Sequence, residues 1–92
     1  MDKQVFIPKE SLTFETVQAD HDRFMQWLQK NKFKNVRLDL SNVVQCDSAG
    51  LALLIEAKRL SLKYQKTLTI EGMPKVISTW AKFCGVEAIL SS

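Results

Sequence analysis

With 92 residues the chain has room for one core, and a domain of this size buries roughly 60 to 65 per cent of its unfolded surface, so residues 1–92 read as a single domain. An apolar fraction of 46% and a charged fraction of 25% exclude a disordered chain, and no apolar run approaches the length that crosses a bilayer. Thirteen Lys and Arg against ten Asp and Glu give a net charge of +3, a mild excess whose only local concentration is Lys30, Lys32, Lys34 and Arg37. That run reads as a solvated loop, with weak attraction to an anionic membrane or an acidic partner surface as its functional counterpart.

In chain order, Gln4 to Ile7 reads as a short strand stopped by Pro8, and a second extended piece follows around Leu12 to Phe14. Thr16 is placed to cap a helix from Val17 to about Asn31, with Val17, Phe24 and Leu28 inward and Asp20, Asp22, Gln26 and Lys30 outward. His21 falls near the apolar stripe and reads as a packing or boundary residue. Val36, Leu38 and Leu40 alternate with Arg37 and Asp39, the period of a strand, and Ser41-Asn42 turns the chain toward Val43, Val44 and Cys46.

There Asp47-Ser48-Ala49-Gly50 meets a long run of Ala, Leu, Ile, Glu, Lys and Arg without Pro or Gly until Gly72, which predicts a strand running directly into a helix capped by Asp47 or Ser48. Small Ala49 and Gly50 let another backbone or a ligand come close. On this helix Leu53, Leu54, Ala57, Leu60 and Tyr64 form the core face. Leu51, Ile55 and Leu62, with Lys58 and Arg59, form a second stripe that either touches a neighbouring helix or faces a partner. Thr67 to Ile70 is a further strand. Pro74 opens a last helix with Ile77, Trp80, Ala81 and Cys84 inward, Gly85 ends it, and Val86 to Leu90 is an apolar tail packing on the sheet.

The chemistry is that of a binding module. Ser48 has no identifiable base, since the single His21 lies in another element, and the Gly-x-Ser-x-Gly elbow and both glycine-rich phosphate motifs are absent. The two cysteines, Cys46 and Cys84, sit in apolar settings and read as buried free thiols of a reducing cytoplasm. Together with His21 they offer too few ligands for a metal, and no cofactor is implied.

Asp47-Ser48-Ala49-Gly50-Leu51 at a strand-to-helix turn resembles, position by position, the motif of the STAS family (sulfate transporter and anti-sigma factor antagonist), and the likeness runs from about Phe6 to about Leu90. It implies an α/β fold, a small mixed β-sheet with helices mainly on one face, opening with a strand pair that this short N-terminus reduces. Leu12 to Val17 and Gly50 to Leu54 look most like the small cytoplasmic STAS subunit of the phospholipid-trafficking (lipid asymmetry maintenance, Mla) ABC transporter. That resemblance implies a non-catalytic subunit docked on the transporter's ATPase and through it on the permease, cytoplasmic and peripheral to the inner membrane. Asp47, Ser48, Ala49, Gly50, Leu51, Ile55 and Lys58 are the expected partner-binding residues. The alternative within the family is an antagonist of an anti-sigma factor or kinase, switched by phosphorylation of Ser48. A phosphate there would sit at a helix N-terminus, where free N–H groups favour anions, and would add about two negative charges to the docking surface.

Overall fold

The computed structural model describes residues 4–91. Its elements are β1 (Val5–Phe6), β2 (Ser11–Leu12), α1 (Val17–Lys30), β3 (Asn35–Asp39), β4 (Gln45–Cys46), α2 (Ser48–Lys63), β5 (Thr67–Glu71), α3 (Lys75–Cys84) and α4 (Glu87–Ser91). The strands lie in open sheets, β1-β3-β5 and β2-β4, and every pairing among the described residues is parallel. Val5 faces Arg37, and Arg37 faces Thr69, so one row of side chains crosses the larger sheet. β1 and β2 do not pair with each other. Among the described residues the two opening strands are short, and each is hydrogen-bonded to a later one.

Alternation decides which face of the larger sheet is covered. Phe6, Val36, Leu38 and Leu68 point inward and are buried, whereas Asn35, Arg37, Thr67 and Thr69 are exposed on the other side, where Arg37 meets Glu71 at 3.6 Å. The inward face packs under the helices. α2 is the central one, touching α1, α3, α4 and β5. Its buried residues are Gly50, Leu51, Leu54, Ala57, Leu60 and Ser61, while Leu53 and Tyr64, expected in the core, are half-buried at its margin. The Ser61 hydroxyl donates to the Ala57 carbonyl at 2.8 Å, which lets a polar side chain sit inside.

Several expectations need correcting. Asp20 is fully buried, with 0% of its surface exposed, although its charge argued for solvent. Position 20 lies three residues after Val17 and four before Phe24, so the helical period puts it on the inner stripe. Arg23 makes burial tolerable by donating from Nη1 to Asp20 Oδ1 at 2.7 Å. Thr16 precedes α1 but does not cap it with its side chain. Its hydroxyl instead donates to the Ser11 carbonyl at 2.6 Å and accepts from the Thr13 N–H at 3.0 Å, closing the turn between β2 and α1. The tail after Gly85 is the short helix α4, anchored by buried Leu90. Pro74 stands one residue before α3, and Gly85 ends that helix in the left-handed conformation, φ 71°, that glycine adopts without strain.

Candidate functional site

The junction at Asp47 is built from both sides. Cys46 ends β4, whose pairing with β2 sets Leu12 opposite Cys46, and the Asp47 N–H donates to the Leu12 carbonyl at 3.2 Å. Asp47 then turns extended, and its Oδ1 accepts from the Ala49 and Gly50 N–H groups at 2.9 and 3.2 Å, satisfying donors that a helix start leaves free. Between the two candidates for the cap, Asp47 supplies it, and Ser48 is the first helical residue. The second carboxylate oxygen, Oδ2, accepts from the Phe14 N–H at 3.0 Å and so ties the β2–α1 loop to the start of α2. That bond first, then those from Gly50 and Ala49, hold the Asp47 carboxyl below its ordinary range.

Gly50 is required by the fold. A Cβ there would overlap the Leu12 carbonyl oxygen and lie 2.8 Å from Leu12 Cβ and 2.9 Å from Cys46 Sγ. The close approach that a small residue permits is therefore already taken by β2. Leu51 also turns inward, with 3% of its surface exposed, and belongs to the core rather than to a docking face. Ile55 is half-buried and packs on that core. Lys58 is half-buried, and its ammonium donates to the Leu68 carbonyl of β5 at 2.8 Å, with burial pushing its pKa down. Of the expected partner-binding residues, the structure brings Asp47, Ser48 and Ala49 together at an accessible turn and turns Gly50, Leu51 and Lys58 to the interior of the fold.

What the turn presents to solvent is Ser48 and Ala52, both exposed, with Ala49 half-buried between them. Two large apolar residues stand nearby that sequence reasoning missed: Phe14, 79% exposed, whose backbone is bonded to Asp47, and Val44, 73% exposed, on the approach to β4. The signal for Phe14 was the Thr13–Thr16 turn, which breaks the alternation after Leu12 and swings residue 14 outward. Val44 precedes the two paired residues of β4 and lies outside that pairing.

Cys46 is buried, and loss of water together with the neighbouring Asp47 carboxylate pushes its thiol up to about 11. Cys84, the last residue of α3, is exposed, contrary to expectation. His21 Nδ1 lies 3.6 Å from Asp22 Oδ1. Among the described residues no group of three His, Cys, Asp or Glu could hold a metal ion, and no helix is long and apolar enough to cross a membrane.

The family described as "Mlab, STAS domain" matches residues 9–91. The chain belongs to the STAS domain family. A solved structure described as a sulfate transporter family protein from Wolinella succinogenes is similar to this STAS domain, with a TM-score of 0.72 and 18% identity over 95% of this chain and 70% of that one. At that identity the likeness is one of fold. No curated protein matches the chain. STAS domains are generally non-catalytic and often sit on transporters or bind partner proteins.

Proposed function

We propose that this STAS domain is a non-catalytic subunit that docks, through the Asp47 turn, on the cytoplasmic ATPase of a phospholipid ABC transporter and supports its assembly. The observation that carries the reading is exposed Ser48 and Ala52 with exposed Phe14 tied to Asp47: a small polar-apolar surface at the carboxyl edge of the strands, where α/β folds present their functional groups. Its backbone donors are already satisfied by Asp47, so a partner meets a rigid surface that needs no ordering on binding. The description of the matching family and the resemblance of Gly50 to Leu54 support the choice of partner.

The test is co-purification of tagged variants with the ATPase, after circular dichroism has shown each to be folded. Interfaces draw most of their binding energy from a few central residues, so Ala49→Arg and Ser48→Glu should abolish the association. Phe14→Ala should weaken it by about 30-fold, the size of a central aromatic contact. Ser48→Ala should be mild. Undiminished binding by folded Ala49→Arg protein moves the docking surface elsewhere. Exposure of Ser48 at the first turn of α2 also suits a phosphate-controlled switch. Opposite effects of Ser48→Ala and Ser48→Glu on a soluble partner would put that reading in place of the transporter.

A further inference from the structure

The far end of α2 has a different character. α2 runs 16 residues from Ser48, about 24 Å at the rise of an α-helix, and ends at Lys63. Here the α2–β5 connection meets the α1–β3 loop: Lys66 donates to the Asn31 and Phe33 carbonyls at 2.7 and 2.6 Å, the Thr67 N–H donates to the Lys34 carbonyl, and Gln29 bonds the Tyr64 hydroxyl at 3.0 Å. No Asp or Glu occurs from Arg23 to Leu38 or from Ala57 to Ile70. The two acid-free stretches thus come together at one end of the molecule.

The cations differ in how they are used. All three arginines are paired within the fold, Arg23 with Asp20 at 2.7 Å, Arg37 with Glu71 at 3.6 Å and Arg59 with Glu56 at 2.6 Å. Lys30, Lys32, Lys34 and Lys63 are exposed and make no ion pair among the described residues. Phe33, which stands between Lys32 and Lys34 in the sequence, is itself exposed, and an open groove lined by Ile7, Trp27, Lys30 and Phe33 carries apolar surface to the same place. Lysine is a mobile, strongly hydrated point charge, suited to a diffuse anionic surface, whereas fixed recognition of single phosphates or carboxylates favours arginine's planar fork. An exposed aromatic between lysines adds an apolar anchor at headgroup depth.

From this we infer that the lysine-rich end, with Phe33 at its centre, is a contact site for an anionic phospholipid surface. It lies at the opposite end of α2 from Ser48, so one molecule can hold a partner at one end and the bilayer surface at the other. The attraction is electrostatic in reach and fades as salt shortens the Debye length to about 8 Å near physiological ionic strength.

The full chain is sedimented with vesicles of phosphatidylcholine mixed with phosphatidylglycerol, and with vesicles of phosphatidylcholine alone. It should pellet with the anionic vesicles only, and less as salt rises. Each lysine near such a surface contributes about a fivefold factor, so Lys32→Gln with Lys34→Gln should weaken binding about 30-fold, and replacing Lys30 and Lys63 as well should remove it. Phe33→Ala should weaken binding several-fold while Phe33→Leu retains it. All these positions are exposed, and circular dichroism should be unchanged. The lysine variants should still co-purify with the ATPase, so this inference and the docking surface at Ser48 stand or fall separately. Absence of binding to the anionic vesicles, equal binding to neutral ones, or full binding by the four-lysine variant overturns the proposal. Equal or tighter binding of polyglutamate than of the vesicles overturns it too, with an acidic polypeptide as the occupant.

Discussion

Asp20 and Asp47 each fasten a piece of the N-terminal segment to a helix, by opposite physical means. Asp20 sits inside the fold on α1, where Oδ1 takes the Arg23 guanidinium at 2.7 Å and Oδ2 receives the Lys9 N–H at 3.4 Å, fixing the loop between β1 and β2. Arg23 in turn lies 4.9 Å over the Phe6 ring and donates to the Ile7 carbonyl, so the ion pair closes over the start of the sheet. Asp47 sits half-buried at the surface and has no charged partner among the described residues; three backbone N–H groups, from Phe14, Ala49 and Gly50, share its two oxygens. The buried carboxylate depends on one counter-charge, whose loss leaves an uncompensated ion in the core. The surface one depends on amide geometry and can fall back on water. A charge that packs and a charge that caps therefore respond differently to the same substitution.

The largest effect is expected at Asp20. Asp20→Ala takes the acceptor from the Lys9 N–H and the Arg23 guanidinium and opens a hole beside Phe24 and Leu54, which should cost about 3 kcal/mol and lower Tm by more than about 10 °C in a chain of this length. Asp20→Asn keeps the shape and one acceptor and should fall between. A loss no greater than that of an exposed helix aspartate such as Asp22 would mean that the buried pair contributes nothing and that the contrast with Asp47 is false.

A smaller loss is expected at Asp47. Asp47→Ala should lower Tm by several degrees and leave the fold intact, since the helix start keeps its water and loses only the side-chain acceptor. Its pH dependence gives a second measure. The native pKa of Asp47 is depressed, so on acidification the unfolded chain takes up the proton first and stability falls. The Asp47 contribution is fully present above the ordinary aspartate value and is lost as pH drops through the depressed native one. Thermal melts across that acid range should show a flatter limb for Asp47→Asn than for the wild type. Identical limbs would remove the three-amide account of this residue.

The difference between these two aspartates also explains what the sequence makes legible. Asp47 announces itself locally, because a capping residue, two small residues and a helix-forming run are contiguous. The parallel β3 and β5, the Gly85 stop and the STAS motif are legible for the same reason. The helical period puts Asp20 on the inner stripe while its charge argues for solvent, and no local rule weighs that charge against the Lys9 amide, which meets it from 11 residues upstream, and the Arg23–Phe6 stack. Leu51 and Gly50 fail in the opposite sense. Both lie in the recognisable motif, yet β2, paired through Leu12 with Cys46, lies across them and takes their side of the helix inward. Phe14 and Val44 become surface only through the turns that end strands two residues long, a length at which alternation has no predictive reach.

The smallest perturbation that separates the two regions is chemical labelling of the thiols. Cys84 lies exposed at the end of α3, so a thiol reagent should modify it at once. Cys46 lies beneath the Asp47 turn, and its burial, with the Asp47 carboxylate beside it, pushes the thiol up to about 11, which leaves very little thiolate at neutral pH. Its reaction should therefore wait for local opening of the β4–α2 junction, and its rate reads the stability of that junction rather than of the whole fold. Asp47→Ala should then speed labelling of Cys46 well beyond what its small loss of Tm accounts for. Asp20→Ala, despite a greater loss of Tm, should speed it only in proportion to global unfolding. If Cys46 labels as fast as Cys84 in the wild type, the junction is open in the native state and Asp47 does not hold it. If the two aspartate variants change the Cys46 rate in the same proportion to their stabilities, the regions open together, and the distinction between a packing charge and a capping charge has no counterpart in the motion of the protein.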